Sequence, residues 1–167
     1  MKPSEKHERF ERGLAHFNAR EFFEAHEVWE EIWLIEQEPE RTFLQGLIQI
    51  AAAFHHFRRG NSDGAEMLLA AGIVKITRFP AEHHGIAVED LREVAKSWAQ
   101  RLGEKQNPAD QDIPTIQRSG GKAGSSRKAT PVSSKNPPNS RDQERQSRDS
   151  DLRASIGRHE NHKTSKP

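Results

Sequence analysis

The sequence predicts an all-α fold, a small helical bundle of about five helices followed by a disordered C-terminal tail. Three observations carry that prediction. Apolar residues recur at spacings of three and four through the first hundred positions, as in helices with one buried face. Gly, Pro, Asn and Ser fall where such helices would start and stop. No segment shows the apolar–polar alternation of a half-buried strand. Composition then changes near residue 103: all eight Phe and all three Trp precede it, and the chain beyond holds Ile113, Ile116, Val132, Leu152 and Ile156 as its large aliphatics. The expected organisation is a bundle domain over 1–103 and a basic, Ser/Pro/Gly-rich tail over 104–167, too poor in apolar surface to offset the cost of ordering its backbone.

Each element has its own signals. Phe10, Leu14 and Phe17 define a first helix of about residues 4–18. Asn18, with Glu21 three residues later, resembles a capping box opening a second helix that runs to about Glu38. Pro39 suits the first turn of a third helix, whose stripe is Phe43, Leu47, Ile50, Phe54 and Phe57 and whose stop is Gly60. Asn61 or Ser62 caps a fourth helix, about 62–79, closed by Pro80. The segment "AEHHGIAV" reads as a loop with His83 and His84 exposed. A fifth helix, about 88–102, carries Leu91, Val94, Ala95, Trp98 and Leu102 on one side.

Charge divides as composition does. Residues 1–103 hold 13 basic and 17 acidic side chains, net −4, and residues 104–167 hold 13 and 8, net +5. With no Cys, disulfides, thiolate metal sites and cysteine nucleophiles are excluded, so any metal site must use His, carboxylate or amide oxygen. The N-terminus lacks the apolar core of a signal peptide, and no run reaches the roughly 18 apolar residues of a membrane span. A cytoplasmic protein that does not enter the membrane is the expectation.

The stretch "EFFEAHEVWEEIWLIE", residues 21–36, holds the most chemistry. On a wheel of about 100° per residue with Phe22 at zero, Trp33, His26 and Glu30 fall at about 20°, 40° and 80°, and Trp29 at about 340°. Glu27, Glu31 and Glu24 fall at about 140–200°, outward, so a zincin-type base role for Glu27 does not follow from "HEVWE". His26 and Glu30, at i and i+4, are close enough to share a ligand or a proton. On the third helix Gln45, Gln49 and His56 form a polar stripe beside the apolar face. If that stripe meets the His26/Glu30 edge, the metal ligands are His26, Glu30 and His56, with His55 the weaker third choice and Gln45, Gln49, Trp29 and Trp33 around them.

The order of "EAHEVWEEIW", "QGLIQIAAAFHHFRRGN" and "GAEMLL" resembles the domain of unknown function 309 family, marked by an HxxxExxW motif that here is His26, Glu30 and Trp33. The resemblance covers about residues 8–80 and implies a small helical bundle with a metal-binding role, sometimes worded as a metal-dependent hydrolase. The divalent metal expected is zinc, manganese or iron, and the catalytic residues and substrate stay unassigned.

Two other readings fit the same residues. In the first, His26 and Glu30 are a hydrogen-bonded core pair, or a metal-free acid–base pair, in an interaction or scaffold module that includes a homo-oligomer. In the second, the basic tail contacts nucleic acid through Arg127, Lys128, Lys135, Arg141, Arg145, Arg148 and Arg153. Acidic residues interspersed at Asp142, Glu144, Asp149, Asp151 and Glu160, and the lack of aromatics to stack bases, weigh against it.

Overall fold

In the computed structural model, which describes residues 1–120, five α-helices follow one another: α1 (Pro3–Asn18), α2 (Phe22–Trp33), α3 (Glu40–Arg58), α4 (Ser62–Ile76) and α5 (Val88–Gly103). Each helix packs on the next along the chain from α1 to α4, α5 returns onto α4, and α3 is thus flanked by both α2 and α4. The all-α bundle expected from helical periodicity is the fold observed, and no helix among the described residues is long and apolar enough to cross a membrane.

The core is an aromatic spine. Trp29 of α2 lies 6.1 Å from Phe17 of α1, which meets Phe54 of α3 edge-on at 6.0 Å, and Phe54 meets Trp98 of α5 edge-on at 5.3 Å. Such tilted and edge-on pairs match the ring quadrupoles as well as burying area. The α3 stripe predicted from periodicity is wholly buried. Val94 is the exception on α5: it is 37% exposed, at the edge of a face centred on Leu91, Ala95, Trp98 and Leu102.

The rotation of α2 is set where it crosses α1. Trp29 Nε1 donates to the backbone carbonyl of Phe10 at 3.2 Å, and Gly13 lets the indole lie against the α1 backbone, because a Cβ there would fall inside the ring.

Several boundaries differ from the expected ones. Asn18 closes α1 instead of capping α2, which begins after Glu21 with no side-chain cap. The side chain of Asn18 is committed elsewhere: Oδ1 accepts from the Ile116 amide at 2.7 Å and Nδ2 donates to the Ile116 carbonyl at 3.1 Å. Helix α2 ends at Trp33, not Glu38: the Ile35 and Glu36 amides turn back onto the Ile32 and Trp33 carbonyls, three residues earlier, in place of the helical four. Asn61 caps α4 as expected, accepting from the Gly64 amide at 3.0 Å. Helix α4 stops at Ile76, where the Thr77 hydroxyl donates to the Ile73 carbonyl and Phe79 turns in against Phe43 at 5.0 Å. The segment read as a loop contains a short antiparallel hairpin, β1 (Glu82–His83) and β2 (Ile86–Ala87), with Ile86 fully buried.

The largest correction concerns residues 104–120, expected to belong to the tail. They lie against the bundle, with a 3₁₀ turn at Asp110–Asp112 and with Ile113 and Ile116 buried. Arg20 donates to the Gln111 carbonyl at 3.0 Å, Arg58 pairs with Asp110 at 2.9 Å, and the Ala87 amide donates to the Gln117 carbonyl at 2.9 Å. Two isoleucines suffice because the backbone around them finds partners on elements 30 and more residues away. The rest of the expected tail, and the nucleic-acid contact proposed for it, lie outside the described residues.

Two substitutions test this packing. Gly13→Ala is expected to displace the Trp29 indole and break its hydrogen bond, costing about 2–4 kcal/mol in urea denaturation despite the better helix propensity of Ala. Ile116→Ala is expected to cost about 2–3 kcal/mol, whereas an exposed tail position would change stability by under about 0.5 kcal/mol.

Candidate metal site

His26 is buried in the middle of α2, on the edge between its aromatic face and solvent. Three ligand-bearing groups converge there: His26, Glu27 and Glu30 each offer an atom within 4.8 Å of the other two. Helical geometry explains the convergence, because Glu30 is i+4 from His26 and i+3 from Glu27, both neighbouring positions on one surface. Glu27 is exposed and Glu30 half-buried, so the group grades from core to surface.

The His26 ring makes no hydrogen bond in the structure: neither Nδ1 nor Nε2 has a partner, although the ring is only 2% exposed. A buried imidazole without partners is costly. Its pKa is pushed down to about 4 from the ordinary 6.5, first by burial and further by the nearby His55, with the Glu30 carboxylate pulling the other way. His26 is therefore neutral at pH 7 and keeps a nitrogen lone pair available, as a metal ligand requires.

The third helix contributes differently from expectation. His55, half-buried, is the α3 histidine on the His26 side: its ring lies 5.6 Å from that of Phe23, which stacks on His26 at 6.4 Å. His56, preferred from the sequence, is placed at the turn into α4, where its Nδ1 lies 3.1 Å from Asn61 Nδ2. Asn61 spends its side-chain oxygen on the Gly64 amide, so it presents N–H to His56; Nδ1 is then the acceptor and Nε2 carries the proton. His56 acts here as a partner of the α4 cap and is not among the groups gathered around His26. Gln49 is buried with its Cβ beside Gly72 of α4, and Gln45 is half-buried. The polar stripe thus runs along the α4 flank of α3, because α3 is gripped on two sides and α2 takes the other one.

The two tryptophans serve packing. Trp29 is a core peg whose N–H goes to Phe10, and Trp33 is buried beneath the Arg41 guanidinium, 4.6 Å from its ring centroid. Sequence reasoning missed Glu27 by measuring its angle from the aromatic face; its i+3 relation to Glu30 was the signal that would have included it.

Residues 10–68 match the family described as "Domain of unknown function (DUF309)". The uncharacterized protein YpuF of Bacillus subtilis (strain 168) is 44% identical over 80 residues, which are 47% of this chain and 43% of that protein. An uncharacterized protein of Aquifex aeolicus (strain VF5) is 30% identical over 77 residues, 46% of this chain and 23% of that protein. The match therefore spans less than half the length of either relative.

The depressed pKa has a consequence for stability. Between pH 6.5 and about 4 the unfolded chain protonates His26 and the folded chain does not, so stability falls as pH drops through that window, by up to about 3 kcal/mol from this group. Urea midpoints at pH 7 and 4.5 are expected to differ more for the native chain than for His26→Gln, which cannot titrate there.

Proposed function

We propose from the geometry that this protein binds a divalent metal through His26, Glu30 and Glu27; residues 10–68 match the domain of unknown function 309 family, whose description carries no activity. The observation that supports it is the buried His26 ring without a hydrogen-bond partner beside two carboxylates. A structural core pair would be expected to spend that ring on a His–Glu hydrogen bond, and neither ring nitrogen makes one. One neutral nitrogen and two carboxylate oxygens suit zinc, manganese or iron(II). In this proposal Glu27 takes the place expected for His56, and His55 lies near enough to act on His26 electrostatically.

Three protein ligands leave a position for water, and a bound metal would supply an activated water for hydrolysis. The grading from buried His26 to exposed Glu27 gives such a water access from solvent.

Elemental analysis of the full chain, loaded with zinc, manganese or iron(II) and dialysed, tests the proposal. His26→Ala is expected to lose one bound equivalent while keeping its helical circular dichroism. Glu30→Gln, with less effect on the core, is expected to weaken binding by at least tenfold. Equal metal content in the native chain and both folded variants would overturn the reading and favour a metal-free interaction module.

A further inference from the structure

A second group of ligand-type side chains lies at the other end of α3, with Glu40 inside and His83 and His84 outside the residues matched by the family. Glu40, the first residue of that helix, has its Oε2 2.9 Å from His83 Nε2 and 2.6 Å from His84 Nε2. The ligand atoms of all three residues lie within 4.8 Å of one another.

The hairpin explains how two adjacent histidines reach one carboxylate. Successive residues of a strand point to opposite faces. His83 pairs with Ile86 across a two-residue turn formed by His84 and Gly85, at φ 48° and 71°. A turn with positive φ at both central residues is of the type that matches strand twist. By leaving the extended conformation at His84 the chain brings that ring to the same side as His83.

Aromatic packing then holds both rings. His83 stands edge-on to Phe43 at 4.7 Å and lies 5.0 Å from Phe79. His84 stacks on Phe43 at 5.6 Å and lies 5.3 Å from Phe10. Phe43 is one helical turn beyond Glu40, so one segment of α3 supplies both the carboxylate and the surface on which the rings rest. The donors are ordered before any ligand arrives, which lowers the entropy lost on binding.

Glu40 and His84 also line a pocket of about 200 Å³ whose other walls include Lys6, Phe10, Ile32 and Glu36. Lys6 and Glu36 form a 2.9 Å ion pair there. An open, partly polar space therefore adjoins the cluster, with room for water or a small polar ligand.

We propose that Glu40, His83 and His84 form a second divalent-metal site, a two-histidine, one-carboxylate set for a first-row transition cation such as zinc or iron(II), facing this pocket. Ligand atoms about 2.1 Å from a metal stand roughly 3 Å apart, close to the spacing already present between the carboxylate oxygen and the two ring nitrogens. The cation takes over the role of the shared protons, with small movements of rings already in place. With open coordination positions, the same donor set occurs at hydrolytic zinc and non-haem iron(II) centres.

Cobalt(II) titration of the full chain, followed by visible absorption, tests the site independently of His26. The variants are His26→Ala, the double variant His83→Gln/His84→Gln, and their combination, all checked for helicity by circular dichroism. Equivalents are read as differences from the native chain, because His159 and His162 are common to all. The double variant is expected to lose one equivalent in both the native and the His26→Ala backgrounds, and zinc is expected to raise the melting temperature of His26→Ala but not of the combined variant. Glu40→Gln, which leaves the hairpin intact, is expected to weaken that equivalent at least tenfold. An unchanged equivalent in the double variant and in Glu40→Gln overturns this site whatever His26 does. An unchanged count in His26→Ala overturns the first site and leaves this one standing.

Discussion

The seat of Trp29 on Gly13 is the constraint from which the arrangement of α2 follows. A helix held to its neighbour by apolar contact alone can rotate several degrees at little cost, but an indole flat against a backbone and bonded to the Phe10 carbonyl fixes its azimuth. Leaving that N–H unbonded in the interior would cost about 1–3 kcal/mol, so the bond resists rotation as well as adding stability. With Trp29 fixed, His26 three residues earlier is buried, Glu30 is held at the rim and Glu27 faces solvent. The proposed metal site is a by-product of how one tryptophan packs.

Burial decides the protonation state of His26. An exposed histidine would be partly charged near neutral pH, and beside carboxylates it would form an ion pair. Here burial outweighs the attraction of Glu30 and holds the imidazole neutral. At the second cluster the balance runs the other way for the carboxylate: burial alone would raise the Glu40 pKa, yet hydrogen bonds from His83 and His84 hold it below the usual carboxylate range. One cluster offers a neutral nitrogen with ionisable oxygens near it, and the other an ionised oxygen between two nitrogens.

Residues 104–120 show how a segment with little local preference for order is captured. Arg118 pairs with Glu11, the Ser119 amide donates to the Gly85 carbonyl, and Ile86 bridges to Arg118, so the segment extends the hairpin and ties it to α1. The same contacts steady the turn that carries His83 and His84. Asn18 takes part by copying the hydrogen-bonding edge of a strand with its amide, which makes a cap for α2 unavailable.

By itself the sequence determined the helices, their buried faces and the side of α2 on which His26 and Glu30 lie, because these follow from a 3.6-residue period and local stop signals that need no knowledge of neighbours. It also carried the match of residues 10–68 to a family model, since "EAHEVWEEIW" and the α3 run are contiguous patterns. Only the tertiary structure decided which flank of α3 meets α2, and so placed His55 toward His26 and committed His56 to the α4 cap. It alone brought Glu40 to His83 and His84, and Asn18 to Ile116, pairs 43 or more residues apart with no periodic relation between them. The physical reason is common to these cases: a helix's own geometry sets which residues share a face, but which neighbour that face receives depends on how all the buried side chains fit together at once.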